Sequence, residues 1–222
     1  MPMNAPFDQE VDAYEAWFYE NPAAYASELL AVRRVVPPSG RVLEVGVGTG
    51  RFSAPLKIPL GVDPSLPMLA MARRRGTGVA AAAGEALPVR DGSLDAVLLV
   101  TTLCFLNDPA AAVVQARRAL KPAGLLACAF IDADSPLGRR YRELKSRSRF
   151  YREARFFKVE EVRGLMEGGG FTVREIHQTL TAPPASLREP EPPRPGFGEG
   201  SFVVIAAARA HEPPRRRNAG AR

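Results

Sequence analysis

The sequence predicts an α/β protein: a doubly wound, mostly parallel sheet with helices on both faces. Three observations lead there. Short apolar runs bounded by Gly, Pro or Asp alternate with stretches of helical period. The first such run ends in glycines at alternate positions, "VLEVGVGTGRF". The 222 residues are 46% hydrophobic, enough for one sizeable core.

The elements follow in order. Residues 8–20 have helical spacing, with Tyr14, Trp17 and Phe18 on one face. Asn21 is placed to cap a second helix, with Pro22 at its first position, running to about Val35. "PPSG" at 37–40 breaks it, and "RVLEVG" is a short buried strand. "KIPLGVDP" holds a second strand ending at Asp63. "SLPMLAMARRRG" is a helix with Ser65 as cap and Gly76 as stop. "GVAAAAGEALPV" holds a weak third strand and "DAVLLVTT" a strong fourth. "DPAAAVVQARRAL" is helical, and "PAGLLACAFID" is a fifth strand. A basic helical stretch is expected over 137–167, then strands in "FTVREIHQTL" and "SFVVIAAARA". The proline-rich segment between those two, "TAPPASLREPEPPRPGFGEG", is too long for a hairpin and is expected to be partly disordered.

Composition excludes several classes. Cys104 and Cys128 sit in apolar runs, as buried thiols of a reduced cytoplasm do. With no Cys-x-x-Cys and no His pair at ligand spacing, no metal site is expected. The N-terminus has acids and no signal-peptide pattern, and no apolar run is long enough to span a bilayer. The expected location is therefore cytoplasmic. The net charge of +6 points weakly to a polyanion, because residues 211–222, "HEPPRRRNAGAR", carry four Arg against one Glu. Arg outnumbers Lys 26 to 4, which fits a compositional bias as well as a binding device.

Glycines after a strand let backbone approach a ligand with no side chain between. The dinucleotide fingerprint G-x-G-x-x-G fits Gly46 and Gly48 but puts Arg51 at its third glycine. Gly50 makes the pattern G-x-G-x-G instead. Glu44, two residues before the first glycine, disfavours a pyrophosphate and suits a ligand with positive charge. Asp63 ends the second strand, where an acid can receive both hydroxyls of a ribose. A nucleoside with cationic groups and no phosphate signal describes S-adenosylmethionine.

These residues reach a family. "VLEVGVGTGRF", "GVDPS" followed by Met68, "GEALPVRDGSLDAVLLV" and "ALKPAGLL" resemble the class I S-adenosylmethionine-dependent methyltransferases, in the branch acting mainly on small molecules. The resemblance is dense over residues 40–131 and looser in the flanks. It implies a Rossmann-like, seven-stranded sheet with the last strand antiparallel. It implies that Gly46, Gly48 and Gly50 line the methionine and ribose part of the cofactor, with Glu44 at the base of the loop. Asp63 would hold the ribose hydroxyls, Pro64 and Met68 would cover adenine, and Thr101 would face the methionine. Relatives often carry an Asp that reads the adenine amino group. Here Ala83 stands in its place, followed by Gly84 and Glu85, so either Glu85 compensates or backbone groups read adenine. "LCFLND" likewise lacks the paired imidazoles of many relatives.

Methyl transfer from a sulfonium is an in-line displacement with an excellent leaving group. Positioning supplies on the order of 7–11 kcal/mol, and a base is needed only for a protonated nucleophile. The sequence accordingly shows no obvious catalytic residue; His177, Tyr14 and Tyr151 are the candidates, with Tyr141 beside them. Residues 1–36 form either a helical lid or an aromatic docking helix. Residues 132–167 form a cap whose stretch 137–158 carries nine Arg or Lys against two Glu, with interleaved aromatics. That stretch is a solvated face, a cap for an anionic or aromatic acceptor, or a nucleic-acid surface. The expected organisation is a methyltransferase domain over 1–210 and a disordered basic tail over 211–222. The expected partner is a small-molecule methyl acceptor and not nucleic acid or membrane. An RNA or protein methyltransferase, a non-catalytic cofactor sensor and a nicotinamide dehydrogenase remain as rivals.

Overall fold

The computed structural model describes residues 5–210; the expected tail at 211–222 lies outside them. The strands are β1 Val42–Val45, β2 Leu60–Asp63, β3 Gly78–Ala81, β4 Leu94–Val100, β5 Leu120–Ile131, β6 Phe171–Thr179, β7 Arg194–Pro195 and β8 Phe202–Arg209. They make one sheet in the order β3-β2-β1-β4-β5-β8-β6-β7. β1 to β5 pair in parallel, and β8 runs antiparallel to both β5 and β6. The expected seven strands and antiparallel last strand are present. The eighth, β7, is a two-residue edge piece from the proline-rich segment.

The helices are α1 Ala5–Gln9, α2 Val11–Glu20, α3 Pro22–Arg33, α4 Ser53–Leu56, α5 Leu66–Arg74, α6 Pro109–Ala119, α7 Pro136–Glu143 and α8 Val159–Gly168. Alternation along each central strand sends side chains to opposite faces. Leu43, Val97, Leu99, Leu126 and Cys128 pack with Val113 of α6 and Val162 and Met166 of α8. Val42, Ala96, Leu98, Ala127 and Val204 pack on the other face with Phe18, Ala31 and Val32 of α2 and α3. Burying side chains of this size contributes about 1.5–3 kcal/mol each for the larger ones.

Four expectations are corrected. The first helix is two, broken at Glu10, whose φ of −121° and ψ of 38° leave the helical region. Asn21 sits at the start of α3 but makes no side-chain cap; its Nδ2 donates to the Trp17 carbonyl at 3.0 Å. The basic stretch 137–167 is not one helix. α7 stops at Glu143, Ser148 Oγ accepts from the Tyr151 amide at 3.0 Å in a turn, and the Arg155 amide bonds the Cys104 carbonyl at 2.8 Å. The proline-rich segment has definite structure: Glu191 accepts from the Thr181 amide and hydroxyl at 2.8 Å each, and its own amide donates to Ser27 Oγ at 2.8 Å. Among the described residues no helix is long and apolar enough to cross a membrane.

β1 lies between β2 and β4, so the connections after β1 and β4 diverge. A crevice opens at the carboxyl ends of these strands, where doubly wound sheets take their ligands.

Candidate functional site

The loop after β1 is held from beneath. The amides of Gly46 and Val47 both donate to the Val62 carbonyl of β2, at 2.8 and 3.0 Å. The Gly48 amide donates to Asp63 Oδ2 at 2.9 Å, and the Ser65 amide to Asp63 Oδ1 at 2.9 Å. Asp63 thus pins the loop and starts α5, whose cap is Ser65 as expected. Burial pushes its carboxyl up, against these two backbone hydrogen bonds. Gly46 has φ +71°, and a Cβ there would stand 2.2 Å from Thr102 Oγ1. No other residue type suits that approach.

Above the loop lies a cavity of about 340 Å³. Gly46, Gly48, Asp63, Pro64, Met68, Gly84, Glu85 and Thr101 line it, so most sequence candidates meet there. Phe7 of α1, Tyr14 of α2 and Phe105 after β4 line it as well. Their rings pack edge to face, Phe7 against Phe105 at 4.9 Å and against Tyr14 at 6.2 Å. Thr101 takes φ +51°, which a β-branched residue rarely adopts. Its amide bonds the Ala129 carbonyl at 2.8 Å, holding a strain of about 1–3 kcal/mol at the tip of β4.

Two glycine-motif candidates are placed elsewhere. Glu44 is 1% exposed beneath the loop and outside the cavity lining. Burial and the charge of Asp63 push its carboxyl up to about 8, and its Oε2 has no hydrogen-bond partner. Gly50 does not face the cavity: a Cβ there would stand 3.1 Å from the Ala72 backbone of α5, at φ +82°. It is the close-packing glycine. Gly50→Ala is therefore expected to lower thermal stability by about 1–3 kcal/mol and leave ligand affinity nearly unchanged. Paired melting and binding curves check this; a large affinity loss at unchanged stability would return Gly50 to the binding loop.

The base candidates separate. His177 is 5% exposed on β6, with β8 and β5 between it and β4, so it does not reach the cavity. Its Nε2 pairs with Glu175 at 2.6 Å. Tyr14 lines the cavity, and burial pushes its hydroxyl far up, so it remains protonated. Tyr151 lies behind the cavity, stacked on Phe105 at 6.0 Å and on Tyr141 at 5.0 Å. Glu85 is committed in part: its Oε1 accepts from the Asn107 and Asp108 amides at 2.9 and 3.2 Å. Burial raises both thiols to about 12, and both are free.

Sequence reasoning missed Phe7, Thr102 and the charge cluster at Glu15. Glu15 of α2, 6% exposed, accepts from Thr49 Oγ1, Arg51 and Arg75, with both arginine Nη2 atoms 2.5 Å from its Oε2. Arg75 also donates to the Thr49 carbonyl at 2.6 Å. This cluster ties α2 to the glycine loop and to α5. Its one sequence signal was Arg51 in place of the third dinucleotide glycine. Among the described residues no group of His, Cys, Asp and Glu could hold a metal.

The comparisons agree with this architecture. Residues 43–128 match the family of the methyltransferase domain. A crystal structure of a SAM-dependent methyltransferase, possible histamine N-methyltransferase, from Thermotoga maritima superposes with TM-score 0.91 at 46% identity, covering 93% of this chain and 99% of that one. An uncharacterized protein of Methanocaldococcus jannaschii is 40% identical over 90% of this chain and 97% of its own length. An uncharacterized protein of Mycobacterium tuberculosis is 38% identical over 96% of this chain and 77% of its own. The chain belongs to the class I S-adenosylmethionine-dependent methyltransferases.

Proposed function

We propose that the chain transfers a methyl group from S-adenosylmethionine to a small-molecule acceptor. The observation that carries this reading is the cavity floor, a left-handed glycine loop held by the same aspartate that faces the cavity. The donor set suits the cofactor. Gly46 and Gly48 offer bare backbone to its methionine and ribose. Asp63 retains lone pairs beyond its two backbone bonds, which ribose hydroxyls can use. Glu44 keeps an unpartnered oxygen under the loop, and an α-ammonium group bound nearby would favour its carboxylate form, against the burial that raises it. Pro64 and Met68 would flank adenine, with Ala83, Gly84 and Glu85 along its edge. Glu85 Oε2 is the atom free to receive an adenine amino group.

When bound, the cofactor supplies a methyl group activated by its sulfonium. The chain's own work is to orient the acceptor and keep water out. Phe7, Tyr14 and Phe105 do the second by closing the mouth, which gives the N-terminal helices the role of a lid. Tyr14, held protonated, can donate a hydrogen bond but not accept the acceptor's proton. A cavity of about 340 Å³ lined by aromatics also favours a small acceptor over RNA or a protein tail. Two free thiols suit work in the cytoplasm.

Calorimetric titration with S-adenosylmethionine, S-adenosylhomocysteine and NAD tests the reading. Micromolar binding of the first two and none of NAD is expected; the reverse sinks it. Asp63→Ala is expected to weaken S-adenosylhomocysteine by about 10- to 100-fold, as loss of hydrogen bonds to a charged group does. Unchanged affinity would remove Asp63 from the site. Methyl transfer to any acceptor separates an enzyme from a sensor.

A further inference from the structure

Tyr14 of α2 lines the cavity with a hydroxyl that bonds nothing among the described residues. Its oxygen lies 3.3 Å from where a Cβ on Gly48 would stand, so it sits directly over the glycine loop. The ring is held there by other rings. It packs edge to face on Phe18 at 5.2 Å, on Phe7 at 6.2 Å and on Phe150 of the cap at 6.3 Å. Glu15, the next residue, ties the same turn of α2 to Thr49 and Arg51 of that loop. A tyrosine packed in this way normally finds a partner for its hydroxyl. Burial and the charges of Glu44 and Asp63 keep this one protonated, so it acts as a donor.

Few other donors in the cavity are free. The cofactor carries an α-carboxylate, which takes N–H or O–H groups as partners. Among the described residues the cavity lining holds no Arg, Lys or His. Arg51 and Arg75 are engaged by Glu15. The amides of Gly46 and Val47 are spent on the Val62 carbonyl, that of Gly48 on Asp63 and that of Gly50 on Val47. Thr102 Oγ1 donates to the carbonyls of Val100 and Gly46. Asn107 lies beside Glu85, whose Oε1 accepts its amide, along the edge assigned to adenine. The side-chain hydroxyls of Tyr14 and Thr101 are left, and Tyr14 is the one fixed over the loop.

We propose that the Tyr14 hydroxyl donates a hydrogen bond to the α-carboxylate of the bound cofactor, so that helix α2 itself reads the amino-acid end of the ligand. This rests on the S-adenosylmethionine reading above. It gives Tyr14 a role in binding and none in proton transfer. A ligand with the adenosine part but no α-carboxylate misses the contact.

The probes are S-adenosylhomocysteine, its decarboxylated analogue, which lacks only the α-carboxylate, and methylthioadenosine, which lacks the whole amino-acid end. Calorimetry is run on the full chain and on Tyr14→Phe, which keeps the ring and its packing. Wild type is expected to bind S-adenosylhomocysteine about tenfold or more tighter than the decarboxylated analogue, as a hydrogen bond to a charged group dictates. Tyr14→Phe is expected to lose about tenfold or more towards S-adenosylhomocysteine and to keep its affinity for the other two ligands and its melting temperature. Two proteins and two ligands form a cycle, in which a loss confined to the carboxylate-bearing ligand marks the contact. Equal binding of S-adenosylhomocysteine and its decarboxylated analogue by wild type overturns the assignment without any variant. So does an equal loss for all three ligands in Tyr14→Phe, which would give the hydroxyl to the ribose or to packing, or no loss at all. Failure of S-adenosylhomocysteine to bind wild type instead defeats the cofactor reading beneath it.

Discussion

Gly46→Ala is expected to weaken S-adenosylhomocysteine binding by about 100-fold or more while the sheet still forms. The added Cβ would lie 2.2 Å from Thr102 Oγ1 and 2.4 Å from its Cγ2, at a φ of +71°. Left-handed strain and overpacking together amount to roughly 3 kcal/mol or more, and each 1.4 kcal/mol is about tenfold in affinity. Relief has two routes. Thr102 can swing away, which breaks its hydrogen bonds to the carbonyls of Val100 at 3.0 Å and Gly46 at 3.4 Å. Or the loop can lift, which pulls the Gly48 amide off Asp63. Either route spoils the cavity floor and leaves the core on both sheet faces intact. A double-mutant cycle separates clash from strain. Thr102→Ala removes the two nearest atoms, so the pair is expected to recover part of the lost affinity. Calorimetry on the four proteins decides it. Gly46→Ala with wild-type affinity would mean that the loop was assigned to the wrong ligand.

The same loop shows what the sequence could carry and what it could not. Apolar runs, the glycines and an acid at the end of β2 are local signals, and Gly46, Gly48 and Asp63 met at one cavity. Met68 and Thr101 were placed through the resemblance to the methyltransferase family, and both line the cavity. Gly50 was grouped with the ligand glycines because spacing cannot say which glycine faces a cavity and which meets a helix; across the fold, Gly50 meets Ala72. His177 looked chemical because histidines are scarce here, but only the strand order shows β8 and β5 in the way. Two buried acids, Glu15 of α2 and Glu28 of α3, lie in ordinary-looking segments. Whether each finds a cation or no partner depends on packing between elements distant in sequence. The proline-rich segment is similar: its structure depends on Ser27 of α3 meeting Glu191.

Glu15→Gln is expected to destabilise the protein by about 3–5 kcal/mol, because it removes the charge that two largely buried arginines share. Arg51 and Arg75 have side chains 13% and 26% exposed, so neither can simply turn to water. Arg51 also sits over the Phe18 and Tyr19 rings at 4.9 and 4.5 Å, which holds it in place. The pH dependence gives an independent check. Burial alone would raise the Glu15 carboxyl, but hydrogen bonds from Arg75, Arg51 and Thr49 prevail and bring it from 4.5 to about 2. An acid depressed on folding adds stability above its unfolded pKa and loses it as pH falls through the folded one. The Glu15 contribution, about 3 kcal/mol, is therefore complete above pH 4.5 and lost towards pH 2. Glu28 and Glu44, raised to about 8, act in the opposite sense, with a contribution that fades as pH rises from 4.5 to 8. Subtracting the variant's urea-unfolding curve from the wild type's cancels those acids and isolates Glu15. The difference is expected to be flat from pH 5 to 7 and to shrink between about pH 4.5 and 2; a difference independent of pH would show that the cluster contributes packing and no charge. Because Glu15 joins α2 to Thr49 of the glycine loop, the same variant is expected to weaken S-adenosylhomocysteine at pH 7 under conditions where it remains folded.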